Sequence, residues 1–295
     1  MRSDNLKNYR RTEASAAETI GGAVDACRRM LIGISDTPSL DARVLAGHVT
    51  GLDSSAVVAY GDHRLDAKRR ERLLALAQRR AAGEPVAYLV GEKEFCGLRL
   101  RVDKRVLVPR PETEEVVLAI VQDWRRSRAS ILDVGTGSGA IACALAHMLP
   151  LAEITATDAS LAALDVARAN VEQLGLSERI ALLAGDLFAP LSPGQTYDVI
   201  VANLPYVATS DAALAADVRA HEPHAALFGG EDGLDTYRRL LPDAPKHLRP
   251  NGRAYLECGP GNAHALRDIA RAAFPQRSVS IHEDAGGRER FVLVA

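Results

Sequence analysis

The chain has 295 residues, of which 47% are hydrophobic and 25% are charged, a balance typical of a globular protein with a sizeable buried core. At about 150 residues per domain, this length favours two domains. The 36 basic and 38 acidic side chains give a net charge of −2, which excludes binding to nucleic acid by overall charge alone but allows a local basic patch.

The first part of the chain, residues 1–83, is predicted to form a small helical domain. Residues 1–12 are polar and are expected to be frayed. From about residue 14 to residue 82 the pattern is helical, and Asp66 is predicted to cap a helix that Gly83 ends. The apolar face expected for that helix comprises Leu73, Leu76 and Ala77. The face expected for an earlier helix comprises Leu40, Val44 and Leu45.

A β-hairpin linker is predicted over residues 84–110. The run Gly83-Glu84-Pro85 breaks the helical pattern, and between residues 86 and 108 apolar residues alternate with polar ones. The turn near Cys96-Gly97 predicts the hairpin itself. The expected buried face of its second strand comprises Leu98, Leu100 and Val102.

Residues 111–295 are predicted to form an α/β domain with a doubly wound, Rossmann-like parallel sheet. A helix opens near Pro111, and after Ser130 short apolar strands alternate with helices. The predicted strands are 130–134, 153–157, 180–184, 197–202 and 253–257, with two late runs from Ser278 and Arg290 closing the sheet. The predicted helices lie near 139–148, 160–174, 233–247 and 261–273.

The first of these strands runs into a glycine-rich turn. The turn and the acid before it comprise Asp133, Gly135, Thr136, Gly137, Ser138 and Gly139. Glycines leave the backbone amides at a helix N-terminus open to a ligand. Asp158 ends the next strand, 19 residues after Gly139, which is close to the spacing of an acid that accepts both hydroxyls of a ribose.

With Ala140 in the last position, the same turn satisfies a dinucleotide fingerprint, so an NAD enzyme is an alternative. Asp133 argues against it, because the corresponding position of a dinucleotide-binding strand is normally apolar. A buried carboxylate is costly unless a cationic or hydrogen-bonding group meets it. The ammonium-bearing end of S-adenosylmethionine is such a group. The structural alternative is that Asp133 and Asp158 only cap strand ends and loops.

A third acid, Asp186, follows the strand over residues 180–184. Because the ends of parallel strands converge on one crevice, Asp186 is predicted to accept a hydrogen bond from the exocyclic amine of adenine. Leu187 is predicted to pack on the adenine ring. A solvated loop acid is the alternative for Asp186.

The tetrapeptide Asn203-Leu204-Pro205-Tyr206 follows the fourth strand. The side-chain oxygen of Asn203 and the carbonyl of Leu204 are predicted to accept the two hydrogens of a planar NH2 group, and Tyr206 to stack on its face. Pro205 stiffens the turn. Such acceptors hold the nitrogen towards a methyl donor and stabilise the positive charge that develops on it. An ordinary Asn-x-Pro turn is the structural alternative.

The order of these motifs resembles that of amino-group-directed S-adenosylmethionine methyltransferases. Further segments are similar to the bacterial release factor glutamine methyltransferase family, and the similarity spans about residues 38–295. Those segments are Asp41-Ala42-Arg43, Leu89-Val90-Gly91 with Phe95, and residues 106–114, 221–227, 229–234 and 287–290.

This resemblance implies that S-adenosylmethionine is the cofactor and that a class-1 peptide-chain release factor is the protein substrate, methylated on the glutamine of its Gly-Gly-Gln loop. It implies catalytic roles for Asn203, Pro205 and Tyr206, with Asn203 also beside the cofactor, and a docking role for the helical domain. Arg110 lies near the predicted substrate mouth, so it is a candidate for substrate binding. Neither stable nucleic-acid binding nor a membrane location is expected.

Position 204 departs from the family, which usually has Asn-Pro-Pro-Tyr. Asn-Leu-Pro-Tyr is the form found in ribosomal RNA adenine dimethyltransferases, so adenine N6-methylation is one alternative function. Glutamine methylation of a ribosomal protein is another, since that sister family shares the site. A non-enzymatic adaptor with a Rossmann-like domain is a third, which the intact glycine turn disfavours.

The remaining signals point to an intracellular chain without a metal. The four cysteines are scattered with no zinc-ligand spacing, which predicts reduced thiols in a cytoplasmic protein. His221 and His224 have no evident third ligand, so no metal site is predicted. No apolar run approaches the roughly 18 residues of a membrane span, and the basic N-terminus lacks the apolar stretch of a signal peptide.

Overall fold

The computed structural model describes residues 18–259 and 261–295, which divide into two compact units. A helical unit comprises the described residues up to Gly91 together with residues 215–221, and an α/β unit comprises the others. The expectation for residues 1–12 lies outside the described residues. The predicted domain boundaries, 1–83, 84–110 and 111–295, stay predictions.

The helical unit is built from short helices around its own apolar core. Its first five helices are α1 (Ile20–Leu31), α2 (Pro38–Thr50), α3 (Ser54–Ala59), α4 (Ala67–Ala81) and α5 (Val86–Val90). The core includes Ile20, Cys27, Leu31, Leu45 and Leu73, each at most 1% exposed. The predicted cap of α4 is confirmed, since the Asp66 carboxylate accepts a hydrogen bond from the Arg69 amide at 2.9 Å. The predicted face of α4 is buried as well.

The face predicted for α2 is confirmed at Leu45, which is buried, but wrong at Leu40. Leu40 is 48% exposed, and the helix turns Asp41 inwards beside Leu45. The Asp41 carboxylate accepts hydrogen bonds from the hydroxyl of Ser35 at 2.8 Å and from the guanidinium of Arg80 at 2.9 Å. Because these partners satisfy a buried charge, the inward face of α2 begins one residue later than the apolar pattern indicates.

The prediction for residues 86–90 is also wrong. The alternation predicted from residue 86 begins only at Glu92, because Val86–Val90 forms the short helix α5, which ends at Gly91 in the left-handed conformation. The predicted hairpin is confirmed: β1 (Glu92–Phe95) and β2 (Leu98–Arg101) pair antiparallel about Cys96-Gly97.

The remaining elements of the described residues are helices and the strands of one large sheet. The helices are α6 (Pro111–Trp124), α7 (Ala140–Met148), α8 (Leu161–Gln173), α9 (Ala216–His221, in the helical unit), α10 (His224–Leu227), α11 (Asp235–Leu240), α12 (Ala244–His247) and α13 (Ala263–Ala273). The strands are β3 (Ser130–Val134), β4 (Glu153–Asp158), β5 (Ile180–Ala184), β6 (Tyr197–Ala202), β7 (Leu248–Glu257), β8 (Val279–Glu283) and β9 (Glu289–Val294).

The seven-stranded sheet has the order β5-β4-β3-β6-β7-β9-β8, which confirms the predicted doubly wound α/β class. Strands β3 to β7 pair in parallel, whereas β9 pairs antiparallel with β7 and β8. The sheet is therefore mixed rather than parallel throughout, because the short connection between β8 and β9 reverses the chain. The carboxyl ends of β3, β4, β5 and β6 lie along one edge, where such folds bind ligands.

One predicted helix is divided into two in the structure. The expected helix over residues 233–247 divides into α11 and α12, because Pro242 has no amide hydrogen with which to continue a helix. Among the described residues no helix has both the length and the apolar character that crossing a membrane requires.

Candidate functional site

The glycine-rich turn follows β3 at the ligand-binding edge of the sheet. Gly135, Gly137 and Gly139 all adopt left-handed backbone conformations, with φ of 75°, 56° and 77°. A methyl group added at Gly135 would lie 2.8 Å from Cδ2 of Leu204, so the turn and the tetrapeptide after β6 are in close contact. At Gly137 an added methyl group would meet no atom within 4 Å, so this residue borders open space.

Asp133 lies at the base of this turn and is fully buried. Burial raises the pKa of its carboxyl group to about 7, although the hydroxyl of Thr136, which donates to Oδ2 at 2.6 Å, and the amide of Ala142 act in the opposite direction. No group in the described part of the chain makes a well-formed hydrogen bond to Oδ1. A buried acceptor that lacks a well-formed hydrogen bond fits a ligand that brings a cationic N–H group.

Asp158 ends β4 beside the same turn. Its Oδ2 accepts the Gly137 amide and its Oδ1 accepts the Ser160 amide, both at 2.8 Å. Asp158 therefore does cap these loops, as the structural alternative predicts. Each carboxylate oxygen keeps a further lone pair, so the geometry is compatible with hydroxyl donors as well.

Asn170, in α8, holds the far end of the turn and was not singled out from the sequence. It is fully buried, and its Nδ2 donates to the carbonyl of Ser138 at 2.8 Å and to that of Arg101 at 3.0 Å. Its Oδ1 accepts the Arg101 amide at 2.7 Å. Asn170 therefore joins the β1–β2 hairpin to the glycine-rich turn, which an asparagine inside an ordinary helix does not reveal.

Asp186 and Leu187 lie just after β5. Asp186 is exposed and forms an ion pair with Arg239 of α11. Leu187 adopts a left-handed conformation with φ of 50°, which is strained for a side chain other than glycine. Such strain persists only where the surroundings enforce it, which is a common feature of ligand-binding loops.

The tetrapeptide Asn203-Leu204-Pro205-Tyr206 directly follows β6 and is held by glycines from two other segments. Added methyl groups at Gly229 and Gly233 would overlap the carbonyl oxygens of Pro205 and Tyr206. One at Gly259 would lie 2.8 Å from Cδ2 of the Tyr206 ring. The glycine-rich segment 229–233 is therefore a close-fitting support for the site.

The backbone of Leu204 shows how this residue replaces the proline usual in the resembling family. Its side chain is 4% exposed and packs against Gly135. Its amide donates to the hydroxyl of Tyr237 at 3.4 Å, and that buried hydroxyl also donates to the carbonyl of Glu257 at 2.6 Å. The amide hydrogen that a proline would lack is therefore satisfied inside the protein.

Asn203 is held by two buried residues that sequence reasoning missed as site residues. Its Nδ2 donates to Oγ1 of Thr113 at 3.1 Å, and the Thr113 hydroxyl donates to Oε1 of Glu257 at 3.0 Å. Burial raises the pKa of Glu257 to about 8. Its Oε2 has no hydrogen-bond partner within residues 18–259 and 261–295. The sequence signal for Glu257 is an acid at the end of an apolar strand, and Thr113 lies within the family-like segment 106–114.

Arg110 is paired rather than free. Its guanidinium donates to Oε1 of Glu222 at 2.5 Å, and Oε2 of Glu222 accepts the Val108 amide at 3.1 Å. The Glu222 side chain is 1% exposed and that of Arg110 is 30% exposed. This buried carboxylate anchors the segment before α6 and leaves part of Arg110 accessible.

No group of residues with metal-ligand chemistry occurs in the parts of the chain that the structure describes. The cysteines Cys27, Cys96, Cys143 and Cys258 are free thiols. The polar groups at this edge of the sheet include backbone amides, buried carboxyl groups and the Asn203 amide.

Comparisons with known proteins show what the chain is similar to. Residues 115–222 match a family described as the methyltransferase small domain. A crystal structure of a methyltransferase from Pyrococcus furiosus shares the fold, with a TM-score of 0.50 and 20% identity over 67% of this chain and 88% of that one. The fold and the site define an S-adenosylmethionine-dependent methyltransferase.

Residues 23–91 match a second family, described as the PrmC N-terminal domain. A release factor glutamine methyltransferase from Moorella thermoacetica is 44% identical over 91% of this chain and 95% of its own length. Another, from Rhodopirellula baltica, is 40% identical over 88% of this chain and 89% of its own length. The chain belongs to the release factor glutamine methyltransferase family, as its sequence motifs predict.

Proposed function

We propose that this protein transfers the methyl group of S-adenosylmethionine to the side-chain amide nitrogen, N5, of the glutamine in the Gly-Gly-Gln motif of class-1 peptide-chain release factors. The observation that carries the proposal is the close contact between Gly135 and Leu204. It supports the proposal because the glycine-rich turn and the tetrapeptide then lie close enough for a group to pass from a donor at the first to an amide at the second.

The residues around the glycine-rich turn fit the donor. The unpartnered Oδ1 of Asp133 suits an ammonium group, and the open space beside Gly137 suits a ligand that approaches the backbone. Asp158 would accept from ribose hydroxyls, and Asp186 with Leu187 would contact the adenine. Thr136, Ser138 and Gly139 complete the turn. When bound, S-adenosylmethionine supplies an electrophilic methyl group.

The tetrapeptide receives the glutamine amide. Asn203 presents its side-chain oxygen to one N–H and the Leu204 carbonyl accepts the other, while Tyr206 covers the planar face and Pro205 stiffens the turn. These acceptors stabilise the positive charge that grows on the nitrogen, and preorganised acceptors of this kind contribute most where water is excluded. No base has to act before the attack, because the amide proton becomes acidic only once the nitrogen carries the methyl group.

The protein partner is a release factor, and the helical unit with the exposed part of Arg110 would contribute to its docking. A net charge of −2 disfavours stable binding to RNA, which depends on neutralising phosphates. Four free thiols support a cytoplasmic location, where cysteines stay reduced. No membrane association is proposed.

Labelled S-adenosylmethionine tests the choice of substrate. We expect label on a purified class-1 release factor, and none when the glutamine of its Gly-Gly-Gln motif is replaced. Ribosomal RNA and ribosomal proteins offered in parallel should stay unlabelled. Label on RNA with an unlabelled release factor would instead support adenine methylation, and label on a ribosomal protein would support the sister activity.

A further inference from the structure

Three side chains from distant parts of the chain form one hydrogen-bonded row beneath the tetrapeptide. Asn203 follows β6, Thr113 lies in the first turn of α6, and Glu257 ends β7. The distances along the row are 3.1 Å from Asn203 Nδ2 to Thr113 Oγ1 and 3.0 Å from Thr113 Oγ1 to Glu257 Oε1. Thr113 and Glu257 are 4% and 3% exposed, so water does not compete for these bonds.

The row has a direction, because a threonine hydroxyl has one proton. That proton is directed to Glu257, so towards Asn203 the hydroxyl can only accept. An asparagine amide has two orientations of nearly equal shape, and only one of them points NH2 at Thr113. In that orientation the carbonyl Oδ1 of Asn203 is left for another donor.

The opposite orientation would be unproductive. If the Thr113 proton were free to turn towards Asn203, the amide could rotate and accept it. Asn203 would then present its own NH2 group to the NH2 group of a substrate glutamine, so that two donors would face each other. The acceptor that stabilises the developing charge would be lost.

We infer that Thr113 and Glu257 are positioning residues that fix the Asn203 amide with its Oδ1 towards the glutamine to be methylated. This inference rests on the proposed function, because it assumes that Asn203 receives the substrate amide. Neither residue needs to touch the substrate for this role, and Glu257 needs only to keep a hydrogen-bond acceptor at Oε1.

The surroundings of Glu257 allow it to keep that acceptor in either charge state. Glu112 raises the pKa of its carboxyl group and Arg290 lowers it, but burial outweighs both. A proton carried on the unpartnered Oε2 leaves Oε1 as a carbonyl-type oxygen that still accepts from Thr113. A glutamine at this position can present the same acceptor, whereas a methionine of similar size cannot.

Two pairs of variants separate orientation from simple packing. Thr113→Val removes the hydroxyl at constant shape, and Thr113→Ser keeps it. Glu257→Met removes the acceptor, and Glu257→Gln keeps it. We expect turnover to fall about tenfold in the first member of each pair, which is about the effect of one internal hydrogen bond. The second members should restore most of the rate, and the Kd of S-adenosylmethionine should stay near that of the wild type.

Thr50→Val is the matched control, because Thr50 is a buried threonine of the helical unit whose hydroxyl donates to the Ala46 carbonyl at 2.7 Å. Its turnover should be unchanged. Equal losses in Thr113→Val and Thr113→Ser would contradict the inference. If Thr113→Val does not fold, the Glu257→Met and Glu257→Gln pair decides in the same way, since it leaves Thr113 in place.

A double-mutant cycle with Asn203→Ala gives the decisive readout. If Thr113 acts through Asn203, Thr113→Val should slow the wild type but have no further effect on Asn203→Ala. Additive losses would overturn the inference. The failure of the proposed function looks different: Asn203→Ala itself would then keep normal turnover on the release factor. If turnover falls in Asn203→Ala but stays at the wild-type rate in Thr113→Val, the inference is overturned while the proposed function stands.

Discussion

The site has a donor side, which comprises the glycine-rich turn with Asp133 and Asp158 and would bind the methyl donor. Its acceptor side comprises Asn203 with Thr113 and Glu257 and would receive the glutamine amide. The two sides are built in different ways. On the donor side, Asp133 bonds to a residue three positions away, and Asp158 bonds to residues two and 21 positions away. On the acceptor side, Asn203 bonds to Thr113 across 90 positions, and Thr113 to Glu257 across 144. The donor-side carboxylates bond to groups close to the strand ends that carry them, although Asn170 also ties the turn to the β1–β2 hairpin. The acceptor-side row joins three segments that are farther apart in the sequence.

This contrast predicts different consequences of mutation. A change in the glycine-rich turn should remove donor binding directly, because the turn itself is the binding surface. A change in the row beneath Asn203 should leave donor binding intact and affect the rate of transfer. Measurements of donor affinity and of turnover on the same variants therefore separate the two sides.

The largest effect is expected for Gly137→Val. A branched side chain at φ of 56° is strained by about 1–2 kcal/mol, and it would fill the open space beside the turn. We expect no measurable binding of S-adenosylmethionine by calorimetry. Gly175→Val is the control, because Gly175 has φ of 69° and equally open space but lies beyond α8. Equal donor affinity in both variants would show that the turn is not the donor site.

The next effect concerns Asn203→Ala, which removes one acceptor for the reacting amide. Turnover should fall by about 10²–10³, or about 2.7–4 kcal/mol of transition-state stabilisation. Donor affinity should change much less. Asn251→Ala, at an exposed position of β7, should behave as wild type. Near-normal turnover in Asn203→Ala would mean that the tetrapeptide is only a structural turn.

A pH-dependent effect, on stability rather than on turnover, is expected for Asp133→Asn. Because the folded protein raises the pKa of Asp133 from 3.8 to about 7, the folded state binds this proton more tightly than the unfolded chain. Its stabilisation is present in full below the unfolded pKa and is lost as the pH rises through the folded pKa. Urea unfolding should therefore show the wild type losing more stability than Asp133→Asn between about pH 4 and pH 7. Parallel curves would contradict a raised pKa.

The smallest effect tests the contact between the two sides. Gly135→Ala places a methyl group 2.8 Å from Cδ2 of Leu204, so it should weaken donor binding and slow transfer together. Leu204→Ala in the same chain should restore part of both by making room. The rescue will be incomplete, because φ of 75° remains strained for alanine. An absence of any rescue would show that the contact does not link the sides.

On the donor side, the strand ends and the turn could be predicted because they follow a periodic pattern, whereas Asn170, which holds the turn, could not. Alternating strands and helices placed Asp133 and Asp158 at neighbouring strand ends, and the glycines marked the turn between them. The acceptor tetrapeptide was also recognisable, since a strand precedes it. Its supports were not, because Glu257 and Gly233 show their roles only when β7 and the loop before α11 pack beside β6.

The errors elsewhere have equally local causes. The prediction of one helix over 233–247 did not take account of the missing amide hydrogen of Pro242. The prediction that Leu40 is buried did not take account of the partners that allow Asp41 to be buried. In both places, hydrophobic periodicity was overridden by hydrogen bonding. The row of Asn203, Thr113 and Glu257 could not be predicted for a similar reason, because hydrogen bonds between distant residues leave no periodic pattern in the sequence.

On this basis the two sides of the site act together to methylate one glutamine of a release factor. Peptide mass spectrometry of a class-1 release factor, incubated with this protein and S-adenosylmethionine, tests it most directly. We predict a single added methyl group on the glutamine side chain of the Gly-Gly-Gln motif, and an unmodified peptide with Asn203→Ala under the same conditions. A methyl group on any other residue, or an unmodified release factor with the active wild-type protein, would contradict the account.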